Sequence, residues 1–182
     1  MLPSGSDPNV GLKPWLVDAR AVMGTAPVGI DTAWDYHDQT NIGAILKATA
    51  TKRSDIYVTT KIPTGFGNAT DCNADPAMVV RYMKENLAQL GLKQFDLALL
   101  HHPCSKDSRP HPKDPEPTVD AALWQGLLQA QKAGMVKTIG VSNYDSAQLG
   151  AVKWGATKPA VNQCHMSIGQ VRALTAQWLG GS

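Results

Sequence analysis

The order of apolar and amphipathic segments along the chain predicts an α/β protein built on a parallel sheet. Five apolar runs, rich in leucine or β-branched residues, have the length of buried strands: 28–33, 56–62, 95–100, 136–142 and 160–165. Helical patterns separate them, and repeated strand–helix–strand units connect parallel strands through right-handed crossovers. The runs are apolar at successive positions, which is typical of strands covered on both faces.

The helices are predicted from their apolar stripes and their end signals. The clearest covers 76–90, with Asp75 as N-cap, Pro76 at the first helical position and Gly91 as the stop. The chain from 105 to 117, rich in Pro, Lys and Asp, indicates a long loop, and 65–70 indicates a shorter one. Further helices are predicted at 14–23, 40–49, 119–133 and 146–153, and within 167–182.

Composition limits the function classes. The chain has 182 residues, enough for one domain with a large core, and a formal net charge of +2 with scattered Lys and Arg, so no nucleic-acid footprint is predicted. No apolar window approaches the roughly 18 residues of a membrane span, and the start lacks a signal-peptide pattern. Three widely spaced cysteines, Cys72, Cys104 and Cys164, favour unpaired thiols and a cytoplasmic protein.

Polar side chains stand at the end of every predicted strand. In parallel α/β folds, ligands bind at the carboxyl ends of the strands, where the loops to the next helix emerge. Because all five ends carry polar groups, we expect them to form a single site. The residues are Asp31, Lys61, His101 with His102, Ser142 with Asn143, and Asn162 with Gln163.

The sequence FDLALLHHPC ends a predicted strand on two adjacent histidines. Side chains alternate along a strand, so we expect His101 and His102 to diverge and only one imidazole to face the site. A metal site is an alternative, because six ligand-type residues follow the strands. Divergent histidines and the lack of a CxxC or HxxxH spacing argue against it, and no metal is predicted. The six are His101, His102, Cys104, His111, Cys164 and His165.

Five segments taken in order resemble the aldo-keto reductase family. GIDTAWDYHDQTNIGAIL resembles its Asp and Tyr signature, YVTTKIP its lysine strand, and DLALLHHP its histidine strand. KAGMVKTIGVSNYDSAQL and PAVNQCH are similar to the two segments that follow. The resemblance covers about residues 28–168. It implies an incomplete (β/α)8 TIM barrel with about five parallel βα units.

The resemblance also implies roles for particular residues. It implies NADPH-dependent reduction of a small aldehyde or ketone, with Tyr36 as general acid. It assigns His102 to the substrate pocket, where the family often has an aromatic side chain. The implied catalytic residues are Asp31, Tyr36, Lys61 and His101, and the implied cofactor-binding residues are Asp31, Ser142, Asn143 and Gln163.

Elementary chemistry agrees with these roles. Hydride reduction of a carbonyl needs a proton for the developing alkoxide, and a tyrosine hydroxyl is a weak acid at neutral pH. A lysine ammonium beside Tyr36 would stabilise the tyrosinate, and Asp31 would hold Lys61 in place. His101 would donate to the carbonyl oxygen and orient it. Each residue alone also has an ordinary structural interpretation, as a cap, a packed ring or an exposed strand end.

The resemblance leaves out part of the family's pattern. We interpret 1–182 as a single truncated domain, without the family's first strand and without its C-terminal part, which holds the adenosine half of the cofactor. Weak NADPH binding and apolar surface on both sheet faces are therefore expected, and open barrel edges would allow self-association. Two alternatives remain open: a non-catalytic remnant or binding module that needs a partner to complete the barrel, and an unrelated α/β metal-binding protein.

Overall fold

The structure is a computed structural model that describes residues 8–65, 72–104 and 116–165, with side chains from Pro14 onward. Helices and strands alternate through the described ranges, and short 3-10 turns at Trp34–Tyr36 and Arg53–Asp55 precede α2 and β2 respectively. In order, the elements are α1 Pro8–Met23, β1 Val28–Asp31, α2 Gln39–Ala48, β2 Ile56–Ile62, α3 Pro76–Leu90, β3 Phe95–Leu100, α4 Pro117–Lys132, β4 Val136–Ser142, α5 Ser146–Ala151 and β5 Asn162–Gln163.

The five strands form one parallel sheet in the order β1-β2-β3-β4-β5. The sheet is curled into a half-barrel with helices between the strands, which confirms the predicted fold class. A contact between the two outer strands shows the curl directly. The Gln163 side-chain amide on β5 donates to the Asp31 carboxylate on β1 at 2.5 Å, although three strands separate them in the sheet.

The predicted elements agree closely with the observed ones where the sequence signals are strong. The bounds of β2, β3, β4 and α3 are those predicted. At α3 the Asp75 carboxylate accepts from the Ala77 backbone N–H at 2.9 Å, and Gly91 ends the helix with φ of 67°. The predicted start of α1 at Pro14 is wrong, because the helix begins at Pro8 and contains that proline. The helix predicted within 167–182 and most of both predicted loops lie outside the described residues.

The main core lies between the convex face of the sheet and the helices. Side chains from β2, β3 and β4, including Val58, Leu100 and Val141, are fully buried against Met83 of α3 and Trp124 of α4. Burying an aliphatic side chain of this size contributes about 1.5–3 kcal/mol relative to exposure, so this layer supplies most of the driving force. The helical layer thereby holds the strands in register and presents their carboxyl ends together.

The concave face of β3 is buried as well, so the expected apolar surface on both sheet faces is not found at this strand. Leu97 and Leu99 point to this side and are only 7% and 0% exposed. Leu99 can lie close to β4 because position 140 is glycine. A Cβ on Gly140 would be 2.9 Å from Leu99 Cδ2 and 2.5 Å from the Val161 carbonyl oxygen.

Asp96 is a buried carboxylate near the amino-terminal ends of β2, β3 and β4. It lies at the opposite end of these strands from the predicted site residues. Asp96 accepts from the Val58 backbone N–H at 2.8 Å, from Lys137 at 2.8 Å and from Arg53 at 2.5 Å. Burial alone would raise the pKa of Asp96, but the hydrogen bonds from Lys137, Val58 and Arg53 outweigh it and lower the pKa. The carboxylate therefore stays ionised and ties β2, β3 and β4 together.

Two cysteines form a disulfide, which makes the expectation of unpaired thiols wrong for this pair. Cys72 and Cys104 are bonded, with their Cα atoms 5.3 Å apart, whereas the Cys164 thiol donates to the Tyr144 carbonyl oxygen at 3.7 Å. Spacing could not reveal the pair, because 32 positions separate the partners and the fold alone brings them together. Within the described ranges, no helix combines the length and hydropathy that crossing a bilayer takes.

Candidate active site

Three side chains predicted to act together meet at the carboxyl ends of β1 and β2. The buried Lys61 ammonium forms an ion pair with Asp31 and donates to the Thr32 carbonyl oxygen at 3.2 Å. The same ammonium lies 3.4 Å from the Tyr36 hydroxyl and 5.0 Å from the centre of the Tyr36 ring. The 3-10 turn after β1 brings Tyr36 back over the strand ends, and the residue is 36% exposed.

His101 completes this cluster from the end of β3. Its backbone is held on both sides, because its N–H donates to the Ile62 carbonyl at 2.9 Å and its carbonyl accepts from the Asn143 amide at 2.9 Å. Its ring lies edge-on to the Tyr36 ring, with centroids 5.7 Å apart, and Nδ1 is 3.0 Å from Asp35 Oδ2. The imidazole is therefore fixed in position and orientation beside the tyrosine.

The expectation that the two histidines diverge is wrong. Their rings are stacked, with centroids 4.5 Å apart and planes 21° from parallel. Strand β3 ends at Leu100, so both histidines lie in the following turn, where the alternation of a strand no longer holds. Burial, followed by the charge on His101, lowers the pKa of His102 to about 4, so the second ring is neutral at physiological pH.

The ends of β4 and β5 bring together three of the residues predicted to bind the cofactor. The Ser142 hydroxyl donates to the Gln163 carbonyl at 2.7 Å and accepts from the Asn143 amide at 3.1 Å. Asn143 has φ of 64°, in the left-handed region that asparagine tolerates better than most residues. This backbone conformation turns the chain out of β4 at the site and places the Asn143 amide against β3.

The open hydrogen-bonding atoms of this group suit a primary carboxamide. The amide N–H groups of Asn143 and Gln163 already donate to His101, Ser142 and Asp31. Within the described part of the chain, the side-chain carbonyl oxygens of Asn143 and Gln163 have no donor, which leaves two acceptors for an external NH2 group. These residues therefore fit the amino side of a nicotinamide carboxamide.

Sequence reasoning missed two carboxyl groups near the histidines. Asp35 precedes Tyr36 in the same 3-10 turn and contacts His101, and only its position beside a predicted catalytic residue could have indicated it. Asp120 on α4 is 1% exposed and accepts from the Cys104 backbone N–H at 2.8 Å. Burial raises the pKa of Asp120 to about 7, against the opposing hydrogen bonds from Cys104 and Tyr144.

The metal-site alternative receives no support from the part of the chain that the structure describes. There, no three His, Cys, Asp or Glu side chains lie close enough together to hold a metal ion. His111, one of the candidate ligands, lies outside the described ranges. Cys104 is engaged in the disulfide.

Fold and site together define the class of protein: a parallel βα half-barrel whose polar cluster lies at the carboxyl ends of its strands. The family description that matches is "Aldo/keto reductase family", over residues 24–175. The chain belongs to the aldo/keto reductase family.

Individual relatives agree with this assignment. The chain is 29% identical over 170 residues to methylglyoxal reductase DkgA of Salmonella typhimurium, covering 87% of this chain and 54% of that protein. It is 33% identical over 162 residues to human aldo-keto reductase family 1 member C4, covering 80% and 48%. The chain thus spans about half the length of the curated relatives that it matches.

Solved structures of the family superpose on the half-barrel. The Bombyx mori aldo-keto reductase AKR2E4, in complex with NADP, gives a TM-score of 0.65 at 23% identity and covers 91% of this chain and 51% of that one. The aldose reductase of Schistosoma japonicum gives 0.64 at 26% identity, covering 90% and 54%. The first of these similarities concerns the fold alone.

Proposed function

We infer that the chain carries the catalytic half of a reductase that converts an aldehyde or ketone to an alcohol with NADPH. The observation that supports this most strongly is the contact between the Tyr36 hydroxyl and the Lys61 ammonium, 3.4 Å apart, with His101 beside the same tyrosine. A lysine with a carboxylate partner, placed against a tyrosine at the mouth of a barrel, is an arrangement suited to proton donation.

In this proposal Tyr36 Oη donates its proton to the carbonyl oxygen of the substrate as negative charge develops there. The Lys61 ammonium stabilises the tyrosinate that remains, and Asp31 keeps the ammonium in place through their ion pair. Because Lys61 is only 4% exposed, the ammonium acts in a partly desolvated environment, where its field at Tyr36 is stronger than in water.

His101 and His102 face the substrate side in the proposal. His101 orients the carbonyl oxygen by a hydrogen bond and stabilises the charge that forms on it, as an oxyanion hole does. His102, a neutral ring stacked on His101, lines the pocket and contributes to substrate selection. Small carbonyl compounds are the expected substrates, and one relative carries the name methylglyoxal reductase.

The residues at the ends of β4, β5 and β1 would hold the nicotinamide portion of NADPH. Asn143 and Gln163 offer acceptors to the carboxamide, Ser142 supports both through its hydroxyl, and the Asp31 carboxylate lies within reach of Gln163 at 2.5 Å. When bound, NADPH supplies the hydride. Members of the family to which the chain belongs use NADP(H), which favours this cofactor.

The proposal is tested by replacing Tyr36 with phenylalanine. Tyr36→Phe removes only the hydroxyl, so NADPH-dependent reduction of a panel of aldehydes and ketones should fall at least about 100-fold. NADPH affinity, followed by tryptophan quenching, should stay within about twofold of wild type. Tyr57→Phe is the matched control, because Tyr57 is comparably exposed at 41% but lies near the start of β2. Retention of most of the rate by Tyr36→Phe would refute the role of this residue as acid.

A second variant separates binding from chemistry. Asn143→Ala removes one carboxamide acceptor and a hydrogen bond to the His101 carbonyl, so NADPH affinity should fall about tenfold. Unchanged NADPH affinity would count against this part of the assignment. Saturable NADPH binding by wild type, without turnover of any carbonyl, would instead favour a non-catalytic binding module of the same fold.

A further inference from the structure

Of the two stacked imidazoles, the ring of His101 makes a direct contact with the carboxylate of Asp35. Asp35 Oδ2 lies 3.0 Å from Nδ1 of His101, whose side chain is 10% exposed. The charge of Asp35 affects the pKa of His102 less than burial and the charge of His101 do. Asp35 therefore distinguishes the two rings and singles out His101.

The direction of the hydrogen bond follows from the chemistry of the two groups. An ionised carboxylate can only accept, so Nδ1 of His101 must carry the hydrogen in this contact. In a neutral imidazole the other nitrogen, Nε2, is then an acceptor. Nε2 carries a hydrogen only when the ring is an imidazolium. The state of His101 that can donate to a carbonyl oxygen is therefore the doubly protonated one.

We propose that Asp35 is a positioning residue that keeps the hydrogen of neutral His101 on Nδ1, so that His101 donates from Nε2 to the substrate oxygen only as an imidazolium. This rests on the proposed reductase function. Tyr36 remains the group that transfers a proton, and His101 keeps its own hydrogen throughout. Asp35 therefore acts on the substrate only through His101.

The other groups around His101 are consistent with a single charged ring. His102 is stacked on it and neutral, and the Tyr36 ring lies edge-on to it. Lys61, the nearby cation, has its own carboxylate in Asp31. Because the Asp35 side chain is 43% exposed, solvent weakens the Coulomb attraction, and the hydrogen bond itself must decide the tautomer.

The proposal predicts a particular pH dependence. Reduction should require the form of His101 that carries a hydrogen on Nε2. The remaining neutral ring would present an acceptor lone pair toward the carbonyl oxygen, which is repulsive. Removing Asp35 frees the neutral ring to place its hydrogen on Nε2, so the pH profile of Asp35→Ala should differ from that of wild type.

Nitrogen-15 NMR of the histidine rings tests the tautomer without requiring activity. His101→Gln identifies the His101 signals. In wild type, the neutral His101 ring should carry its hydrogen on Nδ1, and Nε2 should carry one only in the imidazolium. Asp35→Ala should give a mixture of tautomers, and Asp35→Glu should restore the Nδ1–H form. Asp38→Asn is the matched control: Asp38 lies in the same connection but binds the Thr32 hydroxyl at 2.5 Å.

The kinetic arm decides whether the tautomer matters for reduction. Asp35→Ala should change the pH profile of kcat, with the KM for NADPH unchanged, and Asp35→Glu should restore the wild-type profile. A hydrogen on Nε2 of neutral wild-type His101, or a wild-type pH profile in Asp35→Ala, would overturn the proposal. If wild type reduces no carbonyl, the proposed function fails separately, and the NMR spectra alone decide how Asp35 acts on His101.

Discussion

Asp120 offers a sharp test of how the turn that carries the histidines is held. Its side chain lies inside the protein, 1% exposed, where it accepts the Cys104 backbone N–H at 2.8 Å. The Tyr144 hydroxyl, which also donates to the His102 carbonyl at 3.3 Å, hydrogen-bonds to Asp120 as well. The perturbation is Asp120→Asn, which keeps the shape and the acceptor oxygen but cannot ionise.

The expected size and sign follow from the pKa of Asp120, which burial raises from 3.8 to about 7 in the folded protein. Between these values the folded state keeps a proton that the unfolded state has released, so raising the pH favours unfolding. Each pH unit in this window removes about 1.4 kcal/mol of the free energy of unfolding, and the whole window removes about 4 kcal/mol. The contribution is fully present below about pH 4 and lost above about pH 7.

The assay is urea unfolding at several pH values from about 4 to 8, followed by tryptophan fluorescence. The free energy of unfolding of wild type minus that of Asp120→Asn should fall steadily as the pH rises across this range. Asp18→Asn, at an exposed position of α1, is the control and should show a nearly constant difference from wild type. A constant difference between wild type and Asp120→Asn as well would refute the reasoning that Asp120 is protonated in the fold.

Two further predictions concern packing and cross-linking. Gly126→Ala should destabilise the fold by about 1–3 kcal/mol, because its Cβ would meet the Pro76 carbonyl oxygen and Val79 Cβ, both at 2.6 Å. Gly150→Ala is the control, because nothing lies within 4 Å of the added Cβ, and it should raise the free energy of unfolding by up to about 1 kcal/mol. Equal effects of the two substitutions on urea unfolding would contradict this packing. Cys72→Ser should lower the free energy of unfolding by roughly 3–4 kcal/mol, because the disulfide closes a loop of sequence separation 32. Dithiothreitol should bring wild type to the same level, Cys164→Ser should have little effect, and insensitivity of wild type to the reductant would count against the disulfide.

The parts of the fold that could be predicted are those in which one local signal dominates. Strands β2, β3 and β4 are long apolar runs with polar ends, and α3 has both a capping aspartate and a terminal glycine, so their bounds follow from the sequence. Strand β5 is only Asn162–Gln163, whereas 160–165 was predicted. It is defined by its pairing with β4 rather than by an apolar pattern, and pairing is not visible in a local window.

The site shows the same division between local and long-range information. A parallel sheet predicts that Asp31, Lys61 and His101 lie together at the carboxyl ends of their strands, and the structure brings them together there. The stacking of His102 on His101 could not be predicted, because it depends on β3 ending one residue before the pair. The Cys72–Cys104 bond likewise depends on where the fold places two distant segments.

The charged groups at the strand ends form two separate pairs. The two pairs allow two contributions to the proposed reaction to be tested independently. Asp31 holds Lys61 on one side of Tyr36, and Asp35 holds His101 on the other. The tyrosine contacts both pairs, through its hydroxyl and through its ring. If the proposed roles hold, substitutions of Asp31 act on the proton of Tyr36, whereas substitutions of Asp35 act on the hydrogen bond to the substrate oxygen. Their pH profiles should therefore differ in shape, because each pair governs a different hydrogen in the same step.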